Sequence, residues 1–369
     1  MNNPVIAFCT DSAAFNGNKI LDENIAKNYP GALWVTRLAQ FSKVQEIEVV
    51  TGDIAIARIQ DGLNQPSDIL VIQEESCSTG SKLIQMGAEA FLLICAESTL
   101  YARNFYAHLP EISMFFKHRI LFRGVFEKTS KIGINHVLYF PSFSQNLEVE
   151  IVAWSSRSFM VMVAANKYWK PGRSTIRHVL AGIRDIVVGR ISYITTETKE
   201  LQLHDRRLEL LEYFGQQQDF DLFGMHWGNL KNLPKIWINR LEPVLKKLSP
   251  SICQDKHATI SRYKFCICLE NMSYPGYITE KIIDCFHAGV IPIYLGAPDV
   301  SEFIPRTSFI DLREYADLDE LHRYLKGITE VSAIKIISAG RDFLSSKAGA
   351  EYSYEVFAKN VLHMVKRHE

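Results

Sequence analysis

Residues 263–298, YKFCICLENMSYPGYITEKIIDCFHAGVIPIYLGAP, decide the fold of this chain. The run Phe265–Leu269 is apolar on both faces, as a central strand of a parallel sheet is. Glu270 and Asn271 end it, and Pro275 and Gly276 break the loop that follows. Thr279 stands at an N-cap position, Ile282, Ile283 and Phe286 form a core-facing stripe, and Gly289 stops the helix. A second apolar strand then runs into Gly296-Ala297-Pro298. Glu280 and Lys281 therefore fall in the first helical turn, where free backbone N–H groups and the positive end of the dipole point outward. A lysine there is unfavourable unless an anion lies beside it, so the stretch reads as a phosphate or nucleotide site.

The same residues resemble a known family. Asn271, Tyr277, Glu280 and Lys281, then Ile-Pro-Ile-Tyr-Leu-Gly-Ala-Pro and Phe303-Ile-Pro-x-x-Ser308-Phe-Ile, follow the signature of the α-1,3/4-fucosyltransferases, glycosyltransferase family 10, bacterial type. The resemblance is dense over the C-terminal third and patchy elsewhere. It implies an α/β chain of two Rossmann-like domains facing a cleft, the GT-B fold. It also implies inverting transfer of L-fucose from GDP-fucose to an N-acetylglucosamine-containing, N-acetyllactosamine-like glycan, in α-1,3 or α-1,4 linkage. Two alternatives stand beside it: a related transferase using another GDP-sugar, and a catalytically idle carbohydrate-binding protein of the same fold.

Bulk properties are those of a globular protein. At 369 residues the chain accommodates two domains, and 47% hydrophobic with 22% charged residues excludes a disordered chain. The formal net charge of zero gives no reason to expect a nucleic-acid partner. The cluster Lys167–Arg177 reads as a solvated face. No apolar run is long enough to span a bilayer, and the N-terminus has no secretory pattern. Seven dispersed cysteines without C-x-x-C spacing indicate free thiols in a reducing compartment. Animal members of the family carry an N-terminal anchor, so its absence implies a cytoplasmic bacterial-type enzyme. A chain with the anchor removed is the alternative, and the tail helix, with few basic residues, is expected to pack on the protein in preference to docking on the inner membrane surface.

Short apolar runs alternate with helical patterns along the chain, the mark of β-α-β units. Strands are expected at Val5–Cys9, Glu46–Val50, Ile69–Gln73 and Phe91–Cys95, with edge strands at Ile120–Arg123 and Val137–Phe140. A helix is expected at Tyr29–Phe41, and a linker around Pro141–Asn146. The second half should hold strands at Phe159–Ala164, Phe220–Phe223 and Phe309–Leu312 and helices at Arg173–Arg190 and His204–Phe214. This gives an acceptor-binding domain over residues 1–150 and a GDP-fucose domain over 151–350. The amphipathic tail, 351–369, is expected from the resemblance to pack back on the first domain.

Inverting transfer needs a base for the attacking hydroxyl and cations for the diphosphate leaving group. Glu97 follows an apolar strand and so lies at a carboxyl end, where open α/β sheets bind ligands. Glu97-Ser98 is similar to the family's Glu-Ser-Pro element, which supplies the catalytic carboxylate, with Thr99 in place of the proline. Glu74 and Glu75, ending another strand, are the reserve. For the cations the resemblance implies Lys281 and Arg207, the latter followed by Leu210, Leu211 and Phe214; Arg206 fits less well, because it would put Glu209 at the +3 position. Glu280, Asn271 and Tyr277 would meet nucleotide or sugar hydroxyls. Asp219-Phe220-Asp221 is a D-x-D sequence, but it runs straight into a strand, and no metal cofactor is expected. No phosphate-binding P-loop, dinucleotide fingerprint or H-E-x-x-H site occurs.

Overall fold

The computed structural model describes residues 4–29, 31–126, 134–145, 152–168, 201–231 and 233–368. The chain forms two compact units, Met1–Asn146 with Ala350–Glu369, and Leu147–Gly349. The helix expected at Arg173–Arg190 and most of the Lys167–Arg177 cluster lie outside the described residues.

The first unit is built on a six-stranded sheet: β1 (Val5–Cys9), β2 (Glu48–Thr51), β3 (Ile69–Glu74), β4 (Glu89–Ile94), β5 (His118–Leu121) and β6 (Ile134–Val137), in the order β2-β1-β3-β4-β5-β6. All pairings are parallel. That is why β1, β3 and β4 are continuous apolar runs: helices must cover both faces. β5 is interior and not an edge. Its His118 and Arg119 disguise a central strand, yet they are 8% and 1% exposed. The first long helix starts at Leu33 and not at Tyr29, because Gly31 has a φ of +87° that no right-handed helix accepts.

The tail helix Tyr354–Lys366 belongs to this unit and packs along helix Leu33–Lys43. Phe357 meets Trp34 edge-on at 5.0 Å, and Trp34 meets Phe8 of β1 at 5.6 Å, so the tail closes the core. Glu355 ties its first turn down, accepting from Arg37 Nε at 3.3 Å and Ser144 Oγ at 2.7 Å.

The second unit holds β7 (Ser158–Val163), β8 (Phe220–Phe223), β9 (Tyr263–Leu269), β10 (Ile291–Leu295) and β11 (Ile310–Asp311), all parallel, in the order β11-β10-β9-β7-β8. Ile267 of β9 stands in register between Met162 of β7 and Ile293 of β10. Helix His204–Gln216 lays Leu208, Leu211 and Phe214 on that layer.

Among the described residues, each sheet has one place where strand order reverses. In the first unit it lies between β1 and β3, and in the second between β7 and β9. Open α/β sheets bind ligands beyond the strand carboxyl ends at such a point, because the connecting helices leave on opposite faces there and open a crevice.

Candidate active site

The carboxyl end of β9 carries a charged cluster built around Glu270. This residue is completely buried. Its Oε1 accepts from the backbone N–H of Thr279 at 2.9 Å, and its Oε2 from the Thr279 hydroxyl at 2.8 Å and from Lys281 Nζ at 3.0 Å. The loop between them is therefore folded back on the end of the strand that precedes it. Gly276, at φ +71°, makes that turn, and its N–H donates to Asp299 Oδ1 at 2.8 Å. Gly296 lets β10 pass close by, since a Cβ there would strike Glu270 Cγ and the Tyr294 hydroxyl.

Thr279 occupies the N-cap position of helix Glu280–Ala288, but its hydroxyl does not cap the helix. It serves Glu270 instead, which corrects the local reading of Thr279 as a capping side chain. The helix ends at Gly289 in the left-handed conformation, φ 64°.

Lys281 thus has a protein anion of its own, a correction to the view that its place at a helix start implies only a bound phosphate. It donates to Glu270 and to Thr279 Oγ1 at 2.8 Å, and it stands 3.4 Å from Glu280 Oε1. Burial opposes its charge, but Glu270 and Glu280 outweigh burial and hold the ammonium above its usual range. For Glu280, burial pushes the carboxyl up, yet Lys281 and Lys256 prevail and the net shift is downward. Both groups are therefore ionised at neutral pH.

Arg207 reaches the same strand end from another element. Residues 201–203 run along the loop, with Leu203 N–H donating to Asn271 O at 3.0 Å and Ser273 N–H to Leu201 O at 2.7 Å. This sets the start of helix His204–Gln216 against β9. Arg207, 7% exposed, donates from Nη2 to the carbonyls of Leu269 and Glu270, each at 3.2 Å, and toward Asn271 Oδ1 at 3.4 Å. Arg206 faces outward and pairs with Glu209 at 2.7 Å. Asn271 Nδ2 lies 3.5 Å from the hydroxyl of the buried Tyr277. Five of the six residues singled out from sequence, Arg207, Asn271, Tyr277, Glu280 and Lys281, thus come together at one strand end, from the loop after it and from two helices.

Glu97, the sixth, belongs to the first unit. Its Oε1 accepts the backbone N–H of Ser98 at 2.7 Å, and its carbonyl accepts the Tyr106 hydroxyl at 2.9 Å. It lines a cavity of about 400 Å³ at the β1/β3 reversal point, together with Glu74, Glu75, Tyr29, Trp34 and Phe140. Burial and the neighbouring Glu74 and Glu97 raise the Glu75 carboxyl to about 7, and burial raises Glu74 as well. Asp219 and Asp221 lie on the edge strand of the second sheet: Asp219 stands at its amino end, and Asp221 accepts from the Tyr263 hydroxyl at 2.7 Å.

Sequence reasoning passed over Glu270 as a site residue. The signal was present, a carboxylate closing a strand apolar on both faces, but its partners lie 9 and 11 residues downstream and become neighbours only when the loop folds back.

Two parallel-stranded α/β units with a charged cluster at a strand reversal point make this a GT-B fold, the architecture of a large class of glycosyltransferases. A solved α1,3-fucosyltransferase with GDP superposes with a TM-score of 0.51 at 15% identity, covering 99% of this chain and 91% of that one. Residues 198–333 match the model of glycosyltransferase family 10 (fucosyltransferase), C-terminal. The α-(1,3)-fucosyltransferase FucT of Helicobacter pylori is 35% identical over 94 residues, 24% of this chain and 20% of that protein. An α-(1,4)-fucosyltransferase of Arabidopsis thaliana is 39% identical over 70 residues, 19% of this chain and 18% of that protein. The matched stretch thus spans about a fifth of these relatives. Among the described residues no helix is long and apolar enough to cross a membrane.

Proposed function

We propose that this chain transfers L-fucose from GDP-β-L-fucose to a hydroxyl of an N-acetylglucosamine-containing glycan, forming an α-1,3 or α-1,4 linkage with inversion. The observation that carries the reading is the convergence of Arg207 and Lys281, from two different helices, on the β9 end at a reversal point. Two cations and a helix N-terminus at one place suit a diphosphate, whose oxygens can accept a pair of N–H bonds from the planar guanidinium and meet the compact charge of the ammonium. The relative of known structure holds GDP, and the matched family is that of fucosyltransferases.

The chemistry follows from these groups. The Glu97 carboxylate takes the proton from the attacking hydroxyl. The freed electron pair forms the new bond to fucose C1 while the bond from C1 to the β-phosphate oxygen breaks, leaving GDP. Arg207, Lys281 and the first-turn N–H groups of helix Glu280–Ala288 stabilise the charge that builds on the leaving diphosphate. The 3.4 Å contact between Lys281 and Glu280 is the longest of the three made by the ammonium, and it is the one exchanged for phosphate. Glu280 is then released to accept from nucleotide hydroxyls, with Asn271 and Tyr277 bordering the sugar. No step calls for a metal ion.

A donor panel tests the reading. GDP-fucose should be consumed in the presence of N-acetyllactosamine and EDTA, with one GDP released per fucosylated product. Turnover of GDP-mannose in place of GDP-fucose, or strict dependence on added Mn²⁺, would refute it.

A further inference from the structure

The second unit has a cavity at the end of its sheet opposite the Glu270 cluster. It measures about 260 Å³ and lies at the amino ends of the strands: Ser158 opens β7, Asp219 precedes β8, and Lys264 is the second residue of β9. The donor residues gather at the carboxyl end of the same β9, so this space is separate from them. Its lining is cationic, with Arg157, Lys264 and Lys326 against one carboxylate, Asp219. The Asp219 side chain is 67% exposed and stands 3.9 Å from Lys326, a surface pair of little weight. Lys264 makes no ion pair among the described residues. Its ammonium sits 5.2 Å from the Trp154 ring centroid, and that of Lys326 sits 4.0 Å from the Phe159 centroid.

Arg157 supplies an independent observation. It is 7% exposed, yet its hydrogen-bond partners are neutral: Nε and Nη2 donate to Val152 O at 2.9 and 2.8 Å, and Nη1 donates to Gly289 O. A guanidinium has five N–H donors, so these three bonds leave two unspent. Burial and the neighbouring Arg341 both push its pKa down, and no acidic group offsets them. Buried charges are ordinarily paired with an opposite charge. This one has a second cation for a neighbour and a cavity with two further cations in front of it. What the arrangement lacks is an anion.

We propose that this cavity is a second ligand site, apart from the transfer chemistry, which takes a dianionic phosphate group through Arg157, Lys264 and Lys326. The planar guanidinium offers paired N–H donors to phosphate oxygens, and the two ammonium groups offer compact charge. The volume falls just below the range of drug-sized pockets, about 300–1,000 Å³, so the ligand is inorganic phosphate or a small phosphomonoester. Trp154, Leu325 and Ile328 give the wall on which the carbon part of a monoester would lie. Because Arg157 also holds Gly289, the residue that stops helix Glu280–Ala288, the bound anion would tie the start of β9 to the end of that helix and stabilise the second unit.

The test is calorimetric titration of the full chain with sodium phosphate at pH 8, with GDP saturating the donor end and ionic strength held constant with chloride. One phosphate should bind per chain with a Kd below about 1 mM. Lys264→Gln and Lys326→Gln should each weaken it by about tenfold, the scale of one lost charge-assisted bond, whereas Lys281→Gln at the donor end should leave it within about twofold. Phosphate at about 10 mM should also raise the wild-type Tm above that in chloride of equal ionic strength, an arm that needs no variant. Replacing phosphate by a hexose 6-phosphate identifies the source: binding about fivefold tighter or more makes the monoester the ligand, and equal or weaker binding makes it inorganic phosphate. No binding of either probe, affinity unmoved in both Lys264→Gln and Lys326→Gln, binding lost in Lys281→Gln alone, or no gain in Tm over chloride would each overturn the proposal. None of these outcomes bears on fucosyl transfer.

Discussion

Replacing Glu270 by glutamine tests whether this carboxylate organises the donor end of β9. The substitution keeps shape and volume and removes one charge from a completely buried site. At 3.0 Å the Glu270–Lys281 attraction is gross about 5 kcal/mol for an effective dielectric of 20. Breaking a buried pair by removing one partner costs about 3–5 kcal/mol, since the other charge is left uncompensated. Two features reduce that cost. Lys281 keeps Glu280 at 3.4 Å and is 24% exposed, and a glutamine Oε1 can still accept one of the two Thr279 donors. The net loss is therefore about 3 kcal/mol. For a unit of this size that lowers Tm by roughly 6–12 °C. The assay is thermal unfolding of the full chain at pH 7, with Glu280→Gln as control. Glu280, at 26% side-chain exposure and longer range, should cost under about 1 kcal/mol. A Glu270→Gln protein melting within about 2 °C of wild type, or a control that loses as much, would refute the reasoning.

Three further outcomes follow from the geometry. Gly296→Ala would drive a methyl group into Glu270 Cγ and the Tyr294 hydroxyl, so it should destabilise by about 1–3 kcal/mol and weaken GDP binding, read by urea unfolding and calorimetric titration. Phe357→Ala empties the contact between the tail helix and Trp34 and should cost roughly 3–5 kcal/mol in denaturant unfolding of the first unit. The Glu75 carboxyl is raised from 4.5 to about 7, chiefly by burial, so ionising it costs the fold up to roughly 3 kcal/mol. A raised carboxyl stabilises relative to the ionised state below its unfolded value and loses that as pH rises through the folded one. Glu75→Gln should therefore gain Tm relative to wild type at pH 8 and show little gain at pH 4.5. An equal difference at both pH values would contradict it.

What the sequence made legible was local. The strand Phe265–Leu269, the helix over 280–288 and its stop at Gly289 follow from apolar pattern and backbone preference, and the structure has them within two residues. Arg206 and Arg207 were adjacent candidates, and their separation is a matter of helical phase: Arg206 falls on the solvent side with Glu209, while Arg207 is turned onto β9. What escaped was non-local. Whether β5 is an edge depends on β6 pairing beside it, and a strand containing His118 and Arg119 gives no hint of that. Thr279 looked like a cap because nothing local shows that Glu270 will return to claim its hydroxyl. The cavity beside Glu97 draws residues from seven parts of the first unit, including the tail through Phe357, and no spacing rule brings those together.

The division of labour between the two units is the central claim, with the base on the first and the leaving-group cations on the second. Steady-state transfer and GDP titration of Glu97→Gln test it most directly. The account predicts a fall in kcat of about 100- to 10,000-fold, the usual contribution of a positioned base, with GDP affinity within about twofold of wild type. Transfer at close to the wild-type rate, with GDP still bound, would contradict it.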